Sequence, residues 1–238
     1  MRTLLAGSLV VHATGGADRD GGGEGPAVLL CHGFGAPGTD LVSLHRVIDA
    51  GTGVRWFFPE APLELDGPMS GGRAWWPIDM MALQLAMMRG ELRDLAAETP
   101  EGLPHARAAL ESCIDALVAD HGVDPARLVI GGFSQGAMLT TELALMSDRR
   151  FAGLAVLSGT LLSRARWAEG AAARGRDLHV MQSHGRRDPV LPFSGAEALH
   201  RLLVEHGAHA GFTPFGGQHE IPHVVCDALS AFLRIRLG

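Results

Sequence analysis

The chain has 238 residues, 47% of them hydrophobic, and a formal net charge of −6. It is long and apolar enough for one sizeable core, and its charge argues against partners such as nucleic acid or anionic lipid. All 20 basic residues are arginine and tyrosine is absent, which excludes a lysine-bearing phosphate loop, a Schiff-base lysine and any phenolic acid or oxyanion donor.

Met1–Ala13 faintly resembles a signal peptide, but it reads better as a first β-strand running into a hairpin, with Leu9–His12 strand-like. The Gly- and Asp-rich Thr14–Pro26 reads as a flexible surface turn. Ala27–Cys31 is a buried strand, followed by His32-Gly33-Phe34-Gly35 and an amphipathic stretch over Asp40–Ala50. Val54–Phe58 is the next strand. Residues 60–104 then break the pattern with an excursion long enough to be a cap or binding loop. It carries Trp75-Trp76-Pro77 and the Met-rich run Met80–Met88. A helix over Leu103–His121, a strand over Leu128–Gly131 and an amphipathic helix over Gln135–Met146 follow. The strands Gly153–Leu157, His179–Gln182 and Gly211–Phe215 alternate with helices over Gly195–Glu205 and Pro222–Leu237.

This βαβ alternation predicts an α/β domain spanning residues 1–238, with a mostly parallel sheet of about seven strands and helices on both faces. Functional residues then belong at the carboxyl ends of the strands. No apolar run approaches the roughly 20 residues of a membrane span. Cys31, Cys113 and Cys226 are too few and too scattered for a disulfide framework or a zinc site. Cys31 and Cys113 sit in apolar runs and read as buried thiols, which fits a reducing, cytoplasmic setting. The expectation is no metal, no cofactor, no nucleic acid and no stable membrane association, with a homodimer left open.

Gly132-Phe133-Ser134-Gln135-Gly136 sits between a buried strand and a helix-forming run. That context marks a sharp turn presenting a serine nucleophile, with glycines that let the backbone turn. A serine hydroxyl needs a base, and the base an orienting carboxylate. Asp188 in His184-Gly185-Arg186-Arg187-Asp188-Pro189-Val190 follows the sixth strand-like run, and His219 in Gly217-Gln218-His219-Glu220 follows the last. The rival base His223 falls in the helix behind Pro222, and His184 is placed to brace the Asp188 loop. The backbone N–H groups of Gln135 and of Phe34, after the second strand, are the candidate oxyanion donors.

With His32-Gly33-Phe34-Gly35, Gly131–Gly136, Leu157-Ser158-Gly159, His184…Asp188-Pro189-Val190 and Gly217–Glu220 in view, the chain from about Val28 onward resembles the phospholipase/carboxylesterase family. The resemblance implies an α/β-hydrolase fold, with Ser134 as nucleophile, Asp188 as orienting acid, His219 as base, and Phe34 and Gln135 as the oxyanion pair. It implies a small-molecule ester or thioester substrate. Arg73–Asp79 is similar to the loop that borders the acyl site in that family, while the Met-rich stretch looks longer than the family's usual segment. The expected pocket residues are Arg73, Trp75, Trp76, Met80, Ser158 and Val190. Arg73 has the alternative of a structural salt bridge with Glu60 or Asp79, and the methionines that of packing an extra helix. Amide or carbon–carbon cleavage by the same residues, and a non-catalytic binding protein on the same fold, remain open at this point.

Overall fold

The computed structural model describes the chain except for residues 80, 82–84, 86–87 and 90–94. Its centre is a sheet with strand order β1-β2-β5-β4-β8-β9-β10-β11, where β1 is Arg2–Ala6, β2 Leu9–Gly16, β4 Ala27–Cys31, β5 Arg55–Pro59, β8 Leu128–Phe133, β9 Gly153–Leu157, β10 His179–Gly185 and β11 His209–Phe215. β1 and β2 are antiparallel, β2 runs antiparallel to β5, and from β5 through β11 every pairing is parallel. Short β3 (Asp20–Gly22) pairs with β2, and β6 (Leu63–Glu64) pairs with β7 (Arg73–Ala74) as a separate hairpin.

The inner strands are buried on both faces, which is why β4 and β9 read as unbroken apolar runs. Their side chains still divide with a period of two. Ala27, Leu29 and Cys31 join the core on one face with Leu128, Ile130, Leu154 and Val156, whereas Val28, Leu30, Val129, Ala155 and Leu157 join the other. The first face is covered by α1 (Leu103–His121), α2 (Gln135–Met146), α3 (Arg164–Arg174) and α4 (Phe193–Glu205); the second is covered mainly by α5 (His223–Leu237).

Four local expectations change. Asp40–Ala50 is a 3₁₀ turn over Asp40–Arg46, because Ile48 and Ala50 drop into the core beneath α5 while the Asp49 N–H donates to Ser230 Oγ at 3.0 Å. The Thr14–Pro26 turn is ordered by Asp18, whose Oδ1 accepts the N–H groups of Asp20 and Gly22, and it contributes β3. α2 is buried almost all round rather than amphipathic, because α1 and α3 close over its outer side. Its Glu142 is 1% exposed yet satisfied, accepting from Arg166 Nη2 at 2.7 Å and Trp167 Nε1 at 2.7 Å. α3 itself was not expected: its segment offers one large apolar anchor, Trp167, among arginines and alanines, and the partner that holds it is the buried Glu142.

Cys31, Cys113 and Cys226 are all free and buried, and burial pushes the Cys113 thiol up to about 12. Among the described residues no helix is long and apolar enough to cross a membrane.

Candidate active site

β8 ends at a turn whose apex is Ser134, with φ 54° and ψ −115°. A side-chain-bearing residue in that region is strained by about 1–3 kcal/mol and persists only where its surroundings fix it. Here the Ser134 N–H donates to the Leu157 carbonyl at 2.9 Å, and the Ser134 carbonyl accepts from Met138 at 3.1 Å. The turn also lies hard against the end of β4: a Cβ on Gly136 would stand 2.1 Å from the Cys31 carbonyl oxygen, so only glycine fits there.

The loops after β10 and β11 bring the other two residues together. Arg186 N–H donates to the Phe215 carbonyl at 2.8 Å and Arg187 N–H to the Gly217 carbonyl at 3.0 Å, stitching the loops side by side. Asp188 Oδ2 is 2.6 Å from His219 Nδ1, and its Oδ1 accepts the N–H groups of Val190 and Leu191 at 2.8 and 2.9 Å. Burial tends to raise the Asp188 carboxyl, but the hydrogen bonds from His184 and His219, with that from Leu191, outweigh it and hold the group well below the usual carboxylate range. The His219 ring packs on Phe133 at 4.7 Å between centroids. His184 is fully buried behind the Asp188 loop, as its bracing position suggested, and His223 is an exposed first residue of α5.

Ser134, Gln135, Phe34 and His219 all face one cleft of about 660 Å³, whose other walls include Trp76, Met138, Leu162 and Val190. The loop carrying Phe34 is held from three directions. Trp75 Nε1 donates to the His32 carbonyl at 2.9 Å, and Gly35 N–H donates to the Arg73 carbonyl at 2.9 Å. His32 Nδ1 lies 2.8 Å from the Gly33 carbonyl while its Nε2 accepts the Ala61 N–H at 3.0 Å, so the ring proton is assigned to Nδ1. The Gly33 carbonyl and Phe34 N–H share one trans peptide and point in opposite directions. Pinning that carbonyl aims the N–H, which has no acceptor among the described residues.

Three expected pocket residues are elsewhere. Trp75 is 2% exposed and serves as the prop under His32, while the adjacent Trp76 turns to the cleft. Both are buried because the Gln135 side chain clamps their backbone, accepting from Trp75 N–H at 2.9 Å and donating to the Trp76 carbonyl at 2.8 Å. Arg73 takes the structural alternative, bonding Glu64 Oε1 at 2.9 Å with Glu60 Oε2 at 3.7 Å. Ser158 is fully buried beside β10, its N–H on the Ser183 carbonyl at 2.9 Å. Met80 lies outside the described residues, as do Leu83 and Met87. Met81, Leu85 and Met88 are exposed and are not among the residues that line the cleft. Sequence reading missed Met138, Leu162, Leu191 and Pro192 as cleft walls, because their chain neighbourhoods read only as helix and loop.

His32 also makes the fold sensitive to acid. Burial holds its pKa below the ordinary value of 6.5, despite the opposing hydrogen bond to Gly33. Above that value both the native and the unfolded ring are neutral, so the contribution is complete. As pH falls from about 6.5 towards the lower native value, only the unfolded chain takes up the proton, and stability declines by at most about 1.4 kcal/mol per pH unit. Urea unfolding at pH 7.5 and 5.5 is expected to show a smaller decline in His32→Asn than in the parent. An equal decline in the two proteins refutes this role.

A mostly parallel sheet with a strained serine turn after one strand, an acid and a histidine after later strands, and covering helices on both faces defines an α/β-hydrolase. The chain belongs to the phospholipase/carboxylesterase family, which it matches over residues 20–237. It is 32% identical over 224 residues to acyl-protein thioesterase 1 of Eremothecium gossypii, covering 89% of this chain and 88% of that protein. It is 28% identical over 218 residues to a probable carboxylesterase of Oryza sativa subsp. japonica, covering 88% and 77%. Among solved structures, esterase PE8 superposes with a TM-score of 0.74 at 25% identity, covering 96% of this chain and 99% of that one. The Bacillus cereus carboxylesterase does so with 0.72 at 17%, covering 96% and 94%.

Proposed function

We propose that the protein hydrolyses carboxylic ester or thioester bonds through an acyl-enzyme on Ser134, acting as one domain over residues 1–238. The observation that carries this reading is the 2.6 Å contact between Asp188 and His219 beside a cleft that His219 shares with the strained Ser134. Membership of a family whose relatives are named thioesterases and carboxylesterases supports it.

In this mechanism His219 Nε2 takes the Ser134 hydroxyl proton as Oγ attacks the acyl carbon. The resulting oxyanion receives the N–H groups of Phe34 and Gln135, each worth about 3 kcal/mol in the transition state. Collapse breaks the bond to the alcohol or thiol, which leaves with the proton from His219. The same imidazole then activates a water that attacks the acyl-enzyme, releasing the acid and restoring Ser134. Asp188 keeps the His219 proton on Nδ1 in the resting enzyme and stabilises the imidazolium. The apolar walls at Trp76, Met138, Leu162 and Val190 suit small to medium apolar acyl or aryl groups. Three free, buried thiols fit a cytoplasmic setting.

A fluorophosphonate probe tests the reading directly. One adduct per chain is expected, mapped by peptide mass to Ser134, together with turnover of short acyl esters and thioesters in preference to amides. An intact, folded protein that takes no label at Ser134 and turns over none of these substrates refutes it.

A further inference from the structure

Asp188 receives hydrogen bonds on both carboxylate oxygens, and the mechanism above uses only one donor, His219. His184 Nε2 lies 3.2 Å from the same Oδ2 that faces His219, and 2.9 Å from the Leu191 carbonyl oxygen. The side chains of His184 and Asp188 are both fully buried. His184 Nδ1 is buried too and has no partner among the described residues, so the ring proton is assigned to Nε2, between those two acceptors. His184 does not line the cleft. A buried imidazole with one nitrogen unsatisfied is costly, which calls for a use.

We propose that His184 is a positioning residue for the hydrolysis: its Nε2–H holds Asp188 Oδ2 towards His219 and draws off part of the carboxylate charge, so that it sets how readily His219 gives up its proton to become the base. The inference rests on the reading of Ser134, His219 and Asp188 given under Proposed function. Two histidines on one carboxylate oxygen divide its negative charge between them. Without the His184 donor, more of that charge is left to stabilise the imidazolium at position 219, which then keeps its proton to higher pH.

Beside Asp188, the charged residues of the loops after β10 and β11 are Arg186, Arg187 and Glu220. Arg186 on the same loop lies over the Phe193 ring at 4.9 Å, and that ring, at the start of α4, meets His184 edge-on at 6.1 Å. Arg187 is turned outward onto the Gly216 carbonyl, and Glu220 on the His219 loop accepts from the Gln218 N–H at 2.9 Å. The residue in register with His184 on β11 is Pro214.

The test is the pH profile of kcat/KM for p-nitrophenyl butyrate in the parent, H184F, H184Q and H184N, each with its melting temperature. The side-chain amide of glutamine reaches the place of His184 Nε2; that of asparagine does not. H184F is expected to lose about tenfold in kcat with KM little changed, and its acid limb to move to higher pH. H184Q is expected to bring the limb back and recover most of kcat. If H184F does not fold, H184N is expected to show the displaced limb against H184Q. An acid limb that stays at the parent position in every folded variant overturns the proposal. So does an H184Q limb displaced as far as that of H184F or H184N. S134A separates this from failure of the underlying reading. If S134A hydrolyses the ester at the parent rate, the site itself is misassigned. If S134A is inactive and the limb does not move, only the role of His184 falls.

Discussion

His219→Ala is expected to lower kcat/KM for ester hydrolysis by about 10⁶-fold, while His223→Ala leaves it near the parent value. The two histidines are four residues apart and chemically identical, so the contrast tests geometry. His219 sits in the loop after β11, with Nδ1 on Asp188 and its ring against Phe133 at the edge of the cleft. His223 opens α5 behind Pro222 and is exposed to solvent. Alanine at 219 removes the proton acceptor and leaves Asp188 buried with its other hydrogen bonds intact, so the loss should fall mainly on kcat. Initial rates at several substrate concentrations, with circular dichroism to confirm folding, decide the matter. Activity that survives His219→Ala and disappears in His223→Ala would reverse the assignment of the base.

The contrast also shows what was legible in the sequence. Ser134, Asp188 and His219 could be read because each is marked locally: a serine between glycines after an apolar strand, an Asp-Pro after another, a Gly-Gln-His after the last. Parallel strands buried on both faces leave short, unbroken apolar runs, which is why β4, β8 and β9 fall close to their expected bounds. The direction of a side chain in a loop is not written locally. Trp75 and Trp76 are neighbours in sequence, yet one props His32 and the other faces the cleft, and Gln135, 60 residues away from Trp75, holds both. α3 escaped notice for a related reason: its one large apolar anchor, Trp167, is held by a glutamate buried in another helix, and no periodicity within Arg164–Arg174 records that partner.

Ser134→Ala and Ser134→Gly are both expected to abolish turnover, with kcat falling by about 10⁶-fold, yet to differ in stability. The mechanism needs Oγ, and either substitution removes it. The fold responds to a different property, the φ of 54° and ψ of −115° at this position. Alanine keeps the Cβ and hence the strain, so its melting temperature should stay close to the parent's. Glycine relieves strain of about 1–3 kcal/mol. Against this, its greater freedom in the unfolded chain costs about 0.5–1 kcal/mol. The balance favours Ser134→Gly over Ser134→Ala by about 1 kcal/mol, which corresponds to a rise of about 2–4 °C in Tm for a chain of this size. The comparison is clean because the backbone anchors to Leu157 and Met138 are common to all three proteins. A glycine variant that melts below the alanine variant would show that the turn is not strained at Ser134. The same bend that costs the fold stability lifts the hydroxyl into the cleft, so loss of activity and gain of stability should appear together in the one protein that lacks a side chain there.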